Sequence, residues 1–147
     1  MTHETLTDAE LRDLRALAGL MIPASTTYGV PGADDELIFA DVVKNLERDT
    51  ADARDALKQL AELGGGAFAE LAPDRRAEVA ARFKQKGGAA LFSLNRVVLL
   101  CYYRDDRVMR SLGQEPRAPF PKGHVVEQGD WSLLDPVRRR APMWRRV

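Results

Sequence analysis

The sequence predicts an all-α protein: a small helical bundle of about five main helices with an irregular C-terminal arm. Three observations point there. Apolar residues recur at helical spacing in five successive segments; glycine or proline punctuates the joints between most of them; and no stretch alternates apolar and polar residues as a half-buried strand would. A chain of 147 residues is long enough for one real core. The expected organisation is a helical core domain over residues 1–113 and an extended partner-binding tail over 114–147.

Thr7 to Ile22 is the clearest helix. Thr7 and Glu10 have capping-box spacing, and Leu11, Leu14, Leu17, Ala18 and Met21 line one face until Pro23 stops the helix. Its polar face reads as merely solvated. The stretch PASTTYGVP over 23–31 is turn material, after which Ala33 to Asp49 repeats the helical pattern through Leu37, Ile38, Val42 and Leu46. A third helix is expected from Thr50 to Leu63, burying Ala53, Leu57, Leu60 and Ala61 and ending at Gly64, Gly65 and Gly66. Phe68 and Leu71 are placed to plug the core beside that turn. Pro73 can open a fourth helix with Val79, Ala80 and Phe83 inward, and Gly87 and Gly88 separate it from a fifth, Ala89 to about Tyr103. In this fifth helix Leu91, Phe92, Leu94, Val97, Val98, Leu100 and Cys101 cover more than one side. A central place in the bundle and a face held against a large partner both account for that breadth. Asp105 or Asp106 then caps a short helix carrying Val108, Met109 and Leu112, which Gly113 stops.

Beyond Gly113 the periodicity runs out, and no helix longer than a turn or two is expected. An arm that holds Phe120, Trp131, Trp144 and several arginines is too apolar for an ordinary solvated linker and needs a surface to lie on. The stretch PRAPFPKGH over 116–124 would restrain that arm, since prolines reduce the entropy lost on docking. Tyr102 and Tyr103 end an apolar run and offer an aromatic edge. The candidate partner-interface residues are therefore Tyr102, Tyr103, Arg107, Phe120, Trp131 and Trp144.

Charge and composition narrow the chemistry. The 22 basic and 22 acidic residues cancel, so net charge gives no argument for nucleic acid, membrane or an acidic substrate. The halves differ, however: residues 1–60 carry 12 acids against 6 bases, and residues 61–147 carry 10 against 16. A small neutral protein with this asymmetry would tend to associate. Cys101 is the only cysteine, which rules out an internal disulfide, a thiolate metal cluster and covalent haem attachment, and its apolar neighbours mark it as an inert core thiol. His3 and His124 form no ligand pair, and none of Ser25, Ser93, Ser111 and Ser132 stands in a nucleophile elbow. The glycine clusters lack both the preceding strand and the spacing of a nucleotide loop, so they read as helix breakers. Arg138, Arg139 and Arg140, with Arg145 and Arg146 flanking Trp144, fit an anchored protein contact better than a nucleic-acid surface, for which no reading helix or stacking sheet is present. No catalytic, cofactor-binding or metal-binding residue is expected. The start of the chain lacks the basic and apolar regions of a secretory signal, and no segment approaches 18 apolar residues, so no direct membrane insertion is expected.

Three motifs in order, LRALAGLMIPAS (14–25), GVPGADD (29–35) and YYRDDRVMRSLGQEPRAPFPKGH (102–124), resemble the small-subunit family called gluconate 2-dehydrogenase subunit 3. The resemblance spans most of the chain. It implies a noncatalytic partner of a large flavin-containing sugar or alcohol dehydrogenase of the glucose-methanol-choline type, with FAD in that large subunit and no cofactor in this chain. In some complexes of this kind a multihaem cytochrome subunit accepts the electrons, and the small subunit aids folding, stability or export of the flavoprotein. This chain departs from many relatives in lacking a twin-arginine signal at its start, which weakens the export role. The expected location is cytoplasmic, or periplasmic if the chain is co-exported with a signal-bearing partner. The alternative is a helical adaptor that binds a different, regulatory partner through the same aromatic surface.

Overall fold

A computed structural model describes residues 5–118, 123 and 125–141. Among these the fold is all-α, with seven α-helices, three short 3-10 turns and no strand. The chain divides into two compact units, Met1–Pro116 and Arg117–Val147, a few residues beyond Gly113.

Local chemistry sets most of the boundaries in the first unit. Helix α1, Asp8–Met21, starts at a complete capping box: the Glu10 amide donates to Thr7 Oγ1 (3.3 Å) and the Thr7 amide to Glu10 Oε2 (2.7 Å). It buries Leu14, Leu17 and Ala18, while Leu11 and Met21 are only half-buried. The following turn is pinned by a single antiparallel bridge between Ser25 and Val30. Helix α2, Glu36–Lys44, is shorter than the expected 33–49. The Asp35 carboxylate accepts the Leu37 and Ile38 amides and so fixes the start. At the far end the Asn45 side chain donates to the Asp41 carbonyl (2.7 Å) and the Asp41 carboxylate (3.0 Å). A 3-10 turn over Glu47–Asp49 leads into α3, Thr50–Gly64, which buries Ala53, Ala56, Leu57 and Leu60. Gly65 closes α3 in the left-handed conformation (φ 78°), donating to the Ala61 carbonyl at 2.8 Å.

Phe68, in a 3-10 turn over Phe68–Glu70, is wholly buried, as its position next to the glycine turn predicts. Helix α4, Pro73–Lys86, buries Val79 and Phe83, and helix α5, Ala89–Tyr103, buries Ala90, Leu94, Val97, Val98, Cys101 and Tyr102. Asp105 caps α6, Asp106–Ser111, by accepting the Arg107 amide at 2.9 Å. Helix α3 packs against α4 and α5, and α5 also meets α2 and α6, so α3 and α5 form the spine of one continuous core. In the second unit a 3-10 turn over Trp131–Leu134 runs into α7, Asp135–Arg138.

The polar face of α1 is more than solvated. Asp13 Oδ1 accepts the Ala69 amide at 2.7 Å and holds the Phe68 plug in place, while Glu10 pairs with Arg54 of α3 at 3.0 Å. Arg15 donates to the Asp34 carbonyl (2.9 Å) and lies over the Phe39 ring. These partners are 19 to 56 residues away, beyond the reach of helical periodicity.

Val98 is fully buried on the spine, and Glu78 is exposed in an ion pair with Arg75. Val98→Asp places an unpaired charge in the core and should cost about 3 kcal/mol or more, whereas Glu78→Gln should stay within about 0.5 kcal/mol. Denaturant unfolding followed by circular dichroism measures both; similar losses would contradict the face assignment.

Candidate functional site

Helix α5 has two apolar sides, and the bundle covers one. Phe92, Leu99 and Tyr103, spaced seven and four residues apart, share a face that remains open: they are 70%, 43% and 53% exposed. Leu100 lies beside this face and is also exposed. Leu99 continues the stripe into a groove of about 390 Å³ between the end of α1, α4 and α5, where Leu20, Met21, Ala80 and Leu91 supply apolar walls. Among the described residues that line the groove, Lys84 is the only charged one and Asn95 the only polar uncharged one. Such a surface can exclude water against another apolar face.

The tyrosines expected together at an interface are placed differently. Successive helical side chains point about 100° apart, so when one member of a pair faces inward the next swings out. Tyr102 is 4% exposed and its hydroxyl donates to the Pro31 carbonyl at 3.2 Å, fastening α5 to the loop after α1. Tyr103 stands edge-on to it, ring centres 5.2 Å apart, with half of its surface in solvent. Of the two, Tyr103 is the exposed ring, and Tyr102 belongs to the core.

Arg107 is placed differently again, as an internal tie. Its guanidinium donates to both Asp35 oxygens (2.6 and 3.1 Å) and to both Asp105 oxygens (3.0 Å each). Asp35 caps α2 and Asp105 caps α6, so one side chain joins two helix starts that lie 70 residues apart in the chain. The Arg107 hydrogen bonds hold both carboxyls below the usual carboxylate range, and the two carboxylates hold Arg107 above its own. Alongside, Arg104 grips Asp41 through two bonds of 2.6 Å, which lowers the Asp41 pKa. Cys101 faces a small cleft that Asp41 and Arg104 also line; burial first, and the Asp41 charge second, push its thiol up to about 11. At neutral pH it is therefore protonated and a poor nucleophile.

Trp131 lies in the second unit and is 57% exposed. Phe120 and Trp144 lie outside the described residues. Among the described residues no three or more His, Cys, Asp or Glu side chains are arranged to hold a metal ion, and no helix is long and apolar enough to cross a membrane. The groove was not among the sequence-based candidates. Its one sequence signal is that α5 is apolar nearly all the way round, which marks the helix without saying which side stays open. No family model matches the chain, and neither a curated protein nor a solved structure does.

Two measurements check this geometry. Asp35 and Asp105 have folded pKa values below the unfolded value of about 3.9, so their stabilisation is complete above that value and is lost as the pH falls through the folded values. Arg107→Gln should lower the melting temperature at pH 7 and flatten its fall below about pH 4; an unchanged acid limb would deny the tie. Cys101 should resist a thiol reagent at pH 8 in the folded protein and react fully in denaturant, and rapid native alkylation would contradict its burial.

Proposed function

We propose that this chain is a noncatalytic small subunit that stabilises, or helps mature, a large FAD-dependent sugar or alcohol dehydrogenase of the glucose-methanol-choline type. The observation that carries the reading is the open side of α5. The helix that organises the core also leaves Phe92, Leu99, Leu100 and Tyr103 in solvent, beside a groove with apolar walls. Covering apolar surface is worth roughly 25 cal/mol per Å², so a partner seated there would stabilise the complex through a helix that forms the spine of this chain's core. The three motifs that resemble gluconate 2-dehydrogenase subunit 3 supply the partner's identity, and they include part of this surface: the end of α1, whose Leu20 and Met21 line the groove, and Tyr103.

In this reading the flavin and hydride transfer belong to the large subunit, and any cytochrome that accepts its electrons is a further subunit. The chain's contribution is made in folding and assembly. The complex is placed in the cytoplasm, or in the periplasm if the chain is co-exported with a signal-bearing partner.

Co-expression with this chain should raise the yield of soluble, flavin-loaded large subunit, and the tagged chain should bring down a protein of matching mass with flavin absorbance. Phe92→Glu and Leu99→Glu should each abolish that capture without altering helix content by circular dichroism. A captured partner without flavin would favour the adaptor reading, and substrate turnover by the isolated chain with its own bound cofactor would overturn the proposal.

A further inference from the structure

The second unit contains a short helical element whose apolar side chains stand in solvent. Trp131–Leu134 and Asp135–Arg138 form a continuous helical stretch of about two turns. Its start is fixed by Asp130, whose carboxylate accepts both the Ser132 amide (3.0 Å) and the Ser132 hydroxyl (2.6 Å). Pro136 restricts the backbone of its second half, and Arg138 pairs with Asp135 one turn back. Despite this local definition, no residue of the stretch is buried. Trp131, Leu134 and Val137, three residues apart, are 57%, 42% and 56% exposed, and Leu133 is more open still. Helices this short are marginal in water, and their stability ordinarily comes from packing an apolar face.

Charge identifies what such a face would meet. The five arginines of residues 138–147 stand without a single acid, and Arg138, Arg139 and Arg140 follow the apolar face directly. We infer that Trp131–Arg138 is a preformed recognition helix that docks into an apolar groove on the flavoprotein, with carboxylates on the groove's rim at the arginine end. The inference rests on the accessory-subunit reading and adds the chemistry of the partner's surface to it. The mode is helix-in-groove binding, with Trp131 as the central anchor and the arginines meeting the acidic rim. A protein groove fits better than an anionic lipid surface, because Asp130 and Asp135 stand within the same short element and a uniformly negative surface would repel them.

The test uses the full-length chain and the partner captured with it, identified by mass and purified. Trp131→Ala should weaken binding at least about tenfold, and so should a triple Arg138→Gln, Arg139→Gln, Arg140→Gln variant, each with an unchanged melting temperature. Raising the salt from about 0.1 M to about 1 M, which shortens the screening length from about 10 Å to about 3 Å, should weaken the wild-type chain and leave the triple variant nearly unmoved. Equal affinity of wild type and Trp131→Ala for a flavin-containing partner would overturn this inference and leave the accessory role standing. Loss of affinity for a partner that proves to hold no flavin would support the recognition helix and sink the accessory role. Binding to phosphatidylglycerol vesicles, lost in the same variants while partner affinity stays constant, would assign the element to lipid and overturn the inference.

Discussion

A fifteen-residue helix with apolar side chains nearly all the way round must be walled in on most of its circumference, and the first unit is arranged around that requirement. Helix α3 takes the widest contact with α5 and α2 takes the next, while α4 leans on α3. The walls meet around Leu94, Val97, Val98 and Cys101, all nearly inaccessible, and the whole set of buried residues from α1 to α6 forms one cluster. The described helices of the first unit do not close the circle. What remains is the stripe through Phe92, Leu99 and Tyr103, so the candidate surface and the core are two sides of the same helix.

The charge asymmetry of the sequence finds an internal explanation in this packing. Acids of the first 60 residues face arginines of α5 and its C-terminal extension: Asp49 pairs with Arg96, Asp41 with Arg104, and Asp35 with Arg107. Each pair is partly exposed, so its contribution to stability is modest. Their main effect is on register. Together with the Ser93 hydroxyl on Asp52 (2.5 Å), they set α5 against α2 and the start of α3 at four successive points. A charge imbalance between halves that looks like a drive toward association is thus spent in part on joining the halves of one chain.

The second unit follows a different logic. Its helical stretch is defined by short-range devices, the Asp130 cap and the Asp135–Pro136 start, and it leaves its apolar side chains outside any core. Where the first unit converts apolar sequence into burial, this one keeps Trp131, Leu134 and Val137 available beside a run of arginines. Recognition through a small, locally preorganised element loses less conformational entropy than docking an unstructured arm.

Features with local causes were legible in the sequence. The capping box at Thr7, the glycine close after α3, Pro73 at the head of α4 and a cap for α6 at Asp105 or Asp106 follow from interactions within one turn of the chain, and the structure has them where the residue pattern places them, with Asp105 as the cap. Helical periodicity likewise gave the all-α class and most of the core. Tertiary structure alone decided the rest, because periodicity states that a face is apolar but not what covers it. It turned Tyr102 inward onto the Pro31 carbonyl and left Tyr103 outside; it drew Arg107 into a tie between Asp35 and Asp105; and it left Leu99 and Leu20 lining an open groove. Each of those outcomes depends on residues tens of positions apart being brought together, and only the packed chain determines which of them meet.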